Sequence, residues 1–274
     1  MSSTQSEKAI RFRALHDGPD VFVIPNPWDV PSARILAAAG FPALATSSAA
    51  SASVLGRKDG GLTRDQALDH ARTIVEATDL PVSADLEKGF GEEPEIVAET
   101  VRLAGDAGLV GCTIEDSTGK QDPPLFDFSL AVERISAAAE AARSFSFPFM
   151  LTARAHNLLY PNPSLDETIR RLQAYEKAGA HVLFAPGLPN LDSVKTVCSA
   201  VSKPVNFMVG IKGKSFSIHD LAAAGVRRIS LATSLYRAAM TGFLRALREV
   251  KETGGFTFVD DSVTTPEINE AMGI

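Results

Sequence analysis

The sequence predicts an α/β chain folded as a single (β/α)8 TIM barrel, and three observations carry that prediction. Short β-rich apolar runs are followed by longer Ala-rich stretches of helical periodicity, eight times in succession. No long linker interrupts the series, so all the pairs read as one domain. The length of 274 residues suits an eight-fold barrel, which typically needs about 250. A doubly wound open sheet shares the alternation and is the alternative, but eight pairs in this length favour closure.

The elements follow in order. The first apolar run, 21–24, ends in Pro25-Asn26-Pro27-Trp28-Asp29, and a helix over 31–39 stops at Gly40. The run 43–46 enters a stretch of small residues, 47–53, and then a glycine-rich segment, 55–61, that reads as a flexible loop. Thr63 is a good N-cap for a helix reaching about residue 77. Strand three is 81–85, with its helix over 94–107; strand four is 111–116, with its helix over 129–143. Strands five to eight are 149–154, 181–185, 204–209 and 228–232, with helices over 165–177, 191–200, 218–224 and 235–252. The single barrel domain thus spans 1–274. Its tail, 253–274, is polar except for Phe256-Thr-Phe-Val259 and either docks on a neighbouring subunit or frays.

Composition narrows the function. Hydrophobic residues are 45% and charged residues 22%, enough for a large core, and aromatics at 7% leave that core to Ala, Val, Leu, Ile and Phe. The net charge of −6 is spread without a basic block, which argues against a nucleic-acid partner but not against a small anionic substrate. Two cysteines, Cys112 and Cys198, make no disulfide framework and no metal-ligand spacing. Residues 1–13 are polar and lack the apolar core of a secretory signal, and no run reaches the ~18 apolar residues of a membrane span. A cytoplasmic protein with no membrane partner is the expectation.

In such barrels the active site lies at the C-terminal ends of the strands. The polar residues there are Asn26 and Asp29, Ser47 and Ser48, Asp85 and Glu87, Glu115 and Asp116, Arg154 and His156, and Asn206. Several carboxylates at one mouth repel one another unless a cation neutralises them. An all-oxygen set without His or Cys spacing suits a hard ion, Mg²⁺ or alternatively Mn²⁺. Asp85, Glu87 and Glu115 are therefore the expected metal residues. Strand alternation would put Asp85 and Glu87 on one side, and Lys88 on the other. His156 is a candidate proton relay or a loop cap, and both cysteines read as buried structural thiols.

The motifs resemble those of the isocitrate lyase/phosphoenolpyruvate mutase superfamily. Asp85-Leu-Glu87-Lys-Gly89-Phe90-Gly91 is similar to its Asp-x-Asp-x-Gly-(Tyr/Phe)-Gly, Ile114-Glu115-Asp116 to its Ile-Glu-Asp, and Ala153-Arg154 to its Ala-Arg. The early Asn26-x-x-Asp29 and Gly56-x-x-Asp59 fit as well, so the resemblance covers about residues 8–250. It implies a Mg²⁺ enzyme acting on α-keto or 2-hydroxy acid anions through a pyruvate enolate, and a homotetramer with exchanged C-terminal helices. On that resemblance Asp85 touches the metal, Glu87 and Glu115 hold its waters, and Asp59 anchors the network. Ser47 binds the pyruvyl carboxylate and Arg154 its oxygens, with Ser48, Trp28 and Asn206 counted among the substrate-binding residues.

Three departures matter. The second acid of the motif is Glu87 in place of Asp, one methylene longer. The loop after strand four, 117–124, lacks the Lys-(Lys/Arg)-Cys-Gly-His segment of the lyase branch, and Gly187 stands where those enzymes tend to have Glu. A carbon–carbon lyase or decarboxylase without that Cys ranks first. Phosphorus–carbon chemistry on phosphonopyruvate, with Lys120 in the lysine role, ranks second, and a barrel that binds a keto acid without turning it over is third. The loop 117–126 is a candidate lid.

Overall fold

The computed structural model describes residues 3–274. Eight parallel strands form the barrel wall: β1 Phe22–Ile24, β2 Leu44–Ala45, β3 Val82–Asp85, β4 Gly111–Glu115, β5 Met150–Arg154, β6 Val182–Phe184, β7 Val205–Met208 and β8 Arg228–Ser230. Their order is β1-β8-β7-β6-β5-β4-β3-β2. The seam between β1 and β2 is closed by the Ala45 amide donating to the Pro25 carbonyl at 3.0 Å. Asn26 stitches the end of β1 to both of its neighbours, β2 and β8. Its Nδ2 donates to the Thr46 carbonyl at 3.0 Å, and its Oδ1 accepts from the Leu231 amide at 2.9 Å.

The helices are α1 Gln5–Asp17, α2 Val30–Ala38, α3 Ser48–Val54, α4 Arg64–Ala77, α5 Pro94–Asp106, α6 Phe128–Arg143, α7 Leu165–Ala178, α8 Leu191–Ala200, α9 Ile218–Ala223, α10 Ser234–Thr253 and α11 Thr265–Ala271. Alternation along each strand splits the side chains between two environments. Ala84, Cys112, Ile114, Leu151, Ala153, Leu183, Phe207 and Ile229 face outward into the main core beneath the helices. Ser83, Asp85, Thr113, Arg154, Phe184, Asn206, Met208, Arg228 and Ser230 line a cavity at the barrel mouth.

Three elements depart from the sequence expectation. Helix α1 was not anticipated, because its apolar residues are few. A capping box between Thr4 and Glu7 starts it, and Ala9 and Phe12 join Phe22, Ile24, Ala43, Val110, Met150 and Val182 in a second core cluster. Since β5, β6 and β1 begin at Met150, Val182 and Phe22, this cluster stoppers the N-terminal end of the barrel. The small-residue stretch after β2 is helical: Ser48–Val54 forms α3, packed beside α4. The tail also folds rather than frays. After a 3-10 turn at Thr257–Val259, a Thr264–Glu267 capping box starts α11, which lies against α2 of its own chain.

Phe12 is fully buried. Phe12→Ala is expected to lower the unfolding free energy by about 3–5 kcal/mol through lost burial and the cavity left behind. Urea denaturation reads this, and a loss within error of zero would deny α1 its role as the barrel floor.

Candidate active site

At the end of β3, Asp85 is held on several sides. Its Oδ2 accepts from Ser48 Oγ at 3.0 Å and the Ser48 amide at 3.4 Å, and its Oδ1 accepts from the Glu87 amide at 3.1 Å. Helix α3 therefore presents its first residue to the carboxylate, and Ser48 orients Asp85 rather than standing free for a substrate. Burial pushes the Asp85 carboxyl up and Arg154 pulls it back, while Glu115 adds to the rise.

Glu87 reaches the site by a different route from the one that alternation predicts. The strand ends at Asp85, and Glu87 takes a left-handed conformation at φ 52°, unusual for a side-chain-bearing residue. The backbone still pairs with β4, the Glu115 amide donating to the Glu87 carbonyl at 2.9 Å. Gly89 at φ 79° completes the turn, passing so close to Val97 that a Cβ would crowd it. Burial, then Asp85, Asp59 and Glu115, push the Glu87 carboxyl up to about 7. Asp59 itself is exposed on the loop after α3, its Oδ1 accepting from the Gly60 amide at 3.1 Å.

Arg154, at the end of β5, is the cation of this cluster. Its Nη1 lies 3.2 Å from Glu115 Oε2 and 3.8 Å from Asp85 Oδ2. The guanidinium stacks over the Phe184 ring at 5.0 Å, while its Nε–H is buried without an acceptor among the described residues. Burial alone would raise Glu115, but Arg154 and then His156 bring it below the ordinary carboxylate value. Because Arg154 only donates, the 3.2 Å contact from its Nη2 makes His156 Nε2 an acceptor and leaves the ring proton on Nδ1. That Nδ1 is 3.2 Å from Glu115 Oε2, off the angle of a formed hydrogen bond.

Asp116, the neighbour of Glu115, faces the opposite way and anchors the scaffold. It accepts from the His156 amide at 2.8 Å, from Arg171 Nη1 at 3.1 Å and from the Tyr175 hydroxyl at 2.6 Å. Thus α7 fixes the β4 and β5 ends to each other, and with them Glu115, Arg154 and His156.

The remaining sequence candidates divide. Ser47 lines the mouth cavity and its hydroxyl makes no hydrogen bond among the described residues. Asn206 lines it too, but its Oδ1 accepts from Arg228 Nε at 2.8 Å and its Nδ2 donates to Ser230 at 3.0 Å. Arg228 is buried with no carboxylate partner among the described residues. It also donates to Thr152 at 3.0 Å, and burial lowers its pKa to about 9. It places a fixed positive charge beneath the cavity. Trp28 lies outside, packed edge-on to Tyr236 at 5.7 Å beside an apolar hollow of α2. Lys120 is also apart, in solvent, its ammonium 2.8 Å from Glu92.

Lys88 was read as facing away, yet the turn at Glu87 ends the alternation. Its ammonium donates to the Thr118 carbonyl at 2.7 Å, and its charge lowers Glu87 and Glu115. It ties the β3 turn to the loop after β4, where Ser117 pairs in antiparallel fashion with Leu125 and meets the Tyr160 hydroxyl at 2.7 Å. The glycine-bounded turn was the available signal for this lysine. Cys112 faces the helices, and burial pushes its thiol far up, out of reach of the mouth.

Among the described residues no three acids, histidines or cysteines form a ready-made metal cage. The donor set nonetheless fits a hydrated hard cation. Asp85, Glu87 and Glu115 raise or crowd one another, and such an ion is held by one or two carboxylates with the rest of its shell left to water and substrate oxygens.

The family model described as phosphoenolpyruvate phosphomutase matches residues 12–251. The chain belongs to the isocitrate lyase/phosphoenolpyruvate mutase superfamily. A solved structure from Burkholderia cenocepacia, described as a "putative lyase/mutase", is 50% identical and superposes with a TM-score of 0.96, covering 98% of this chain and 97% of that one. The Corynebacterium glutamicum protein named "Probable 2-methylisocitrate lyase 2" is 30% identical over 93% of this chain and 83% of its own length. The oxaloacetate decarboxylase of Bradyrhizobium diazoefficiens is 30% identical over 87% of this chain and 84% of its own. The chain is a superfamily enzyme whose named relatives include 2-methylisocitrate lyase and oxaloacetate decarboxylase.

Removing Arg171 would leave the buried Asp116 carboxylate without its cation. Arg171→Met is expected to cost about 3–5 kcal/mol of stability. Calorimetric melting beside the parent protein checks this, and an unchanged melting temperature would show that Asp116 does not need its partner.

Proposed function

We propose that this protein is a Mg²⁺-dependent carbon–carbon lyase or decarboxylase of a small α-keto or 2-hydroxy carboxylate, oxaloacetate-like or substituted-malate-like, working through a pyruvate enolate. The observation that carries the reading is Arg154, with its unpaired Nε–H, set between Asp85 and Glu115 beside the mouth cavity. A cation clamped by two carboxylates is held in place before any substrate arrives, so charge that develops on an oxygen there meets a donor needing little reorganisation.

Asp85 would hold the ion directly, with Glu87 and Glu115 holding its waters; Mn²⁺ would suit the same oxygens. Such an ion, when bound, stabilises negative charge on the enolate oxygen. The chain's own groups do the rest. The free Ser47 hydroxyl receives the substrate carboxylate, and Arg228 below draws the anion inward. Arg154 donates to the oxygen that gains charge as the bond to C3 breaks. Asp59 faces Glu87 electrostatically and steadies the network of bound water. His156 is the proposed proton relay: its Nδ1 proton would pass toward C3 once the leaving carbon has gone, while Nε2 takes up a proton from water so that the ring stays neutral. The loop after β4, strapped by Lys88 and Tyr160, shields the enolate from water. Phosphorus–carbon chemistry would want a lysine of that loop near the transferred group, and Lys120 is paired with Glu92 in solvent. The carbon–carbon reading therefore stands first.

The protein is further proposed to assemble as a homotetramer. Helix α10 buries none of its residues, and Phe243, Leu244 and Leu247 are 59%, 52% and 43% exposed. Apolar side chains gathered in one stretch of helix, with Phe256, Val259 and Val263 of the tail also exposed, suit contact with another copy. No helix among the described residues is long and apolar enough to cross a membrane; a cytoplasmic location is part of the proposal.

With oxaloacetate and Mg²⁺, pyruvate formation followed by a coupled dehydrogenase is expected. Asp85→Ala should lose both turnover and calorimetric Mg²⁺ binding, while Cys112→Ser keeps its activity. Unchanged Mg²⁺ affinity in Asp85→Ala would refute the metal assignment. If none of oxaloacetate, phosphonopyruvate and methylisocitrate turns over, the keto-acid-binding reading takes its place. Leu244→Glu is expected to shift the light-scattering mass toward the monomer, and a parent protein already monomeric would remove the assembly proposal.

A further inference from the structure

The most voluminous cavity described, of about 770 Å³, lies at the barrel end opposite the candidate active site. It is framed by the end of α1, the end of α6, the starts of β5 and β6, and the turns that lead into β7 and β8. Arg13, Arg143, Lys203 and Arg227 line it together with His181, and Asp17 is the one acid in the lining. This inverts the balance of a chain that carries 33 acidic residues against 27 Lys and Arg.

The single acid is already engaged, its Oδ2 paired with Arg13 Nε at 3.1 Å. Arg227 donates to the Pro19 carbonyl. Arg143 and Lys203 make no ion pair or side-chain hydrogen bond among the described residues. His181 adds a neutral donor. The Leu151 amide donates to its Nδ1 at 3.1 Å, which fixes the ring proton on Nε2. Burial first, then Lys203, Arg13 and Arg143, lower the pKa of that ring, and Asp17 raises it.

Like charges gathered in a concavity repel one another, and low-dielectric walls focus their field on whatever enters. A multivalent oxyanion relieves that repulsion, and the planar guanidinium forks match its oxygens in pairs. We propose that this basal cavity is a second ligand site, separate from the barrel mouth, that binds a multivalent oxyanion: a phosphate group or a polycarboxylate. The proposal does not depend on the catalytic reading, since none of its residues belongs to the mouth.

Titration calorimetry on the whole protein at low ionic strength tests it, with inorganic phosphate in one arm and citrate in the other. Binding in either arm is expected; phosphate alone would specify a phosphate-bearing ligand, and citrate alone a polycarboxylate. Arg143→Glu/Lys203→Glu reverses two exposed charges and should raise Kd by about tenfold or more. Lys203→Glu alone should do so by a smaller factor, which guards against misfolding of the double variant. Arg154→Gln, which alters only the mouth, should leave Kd unchanged. Three results would overturn the site: no heat from either anion at about 10 mM, binding abolished by Arg154→Gln, or binding indifferent to the reversals at 143 and 203.

Discussion

The repulsion among Asp85, Glu87 and Glu115 is the constraint on which the rest of the mouth depends. Three carboxylates from two strands and one turn are brought to the same place, where burial makes their charges costly. Arg154 answers part of that charge, resting 3.2 Å from Glu115 and 3.8 Å from Asp85. Glu87 is pushed up to about 7, by burial first and then by Asp85, Asp59 and Glu115. An arrangement short of cations would suit the hydrated ion proposed above, and the proposed enolate chemistry would gain from it.

Holding the cluster falls to residues that carry no chemistry of their own. Ser48 at the head of α3 pins Asp85, and Asp116, tied to Arg171 and Tyr175 of α7, pins the ends of β4 and β5. Lys88 and Tyr160 hold the loop after β4 from two sides. Positioning within about half an ångström needs support of this kind, because a side chain at a strand end is otherwise free to rotate. The two ends of the barrel also differ in sign. Acids gather at the mouth and bases at the floor, which is why ions of opposite sign are proposed for the two ends.

Much of this was legible beforehand. The eight pairs, the strand ends and the acids upon them follow from hydrophobic period and from the place of function in parallel barrels. The readings that failed share a cause. Alternation carried Glu87 and Lys88 past the true end of β3, where a left-handed residue turns the chain. Helix α1 hides in a polar segment because few apolar residues, Ala9 and Phe12 with Leu15 beside them, carry its packing, and the Thr4–Glu7 box was its one local sign. Trp28 and Lys120 were near the mouth in sequence but not in space.

The sequence by itself determined the alternation of strands and helices, the family and the acid-rich mouth, since each is written in residues close together along the chain. Only the tertiary structure decided which neighbours these residues keep. Arg154 meets Asp85 across a gap of 69 positions, and Asp116 meets Tyr175 across 59. The basal cations come from α1, α6 and two turns that no local reading joins. Charges interact through space with a strength set by distance and burial, and barrel closure alone fixes both.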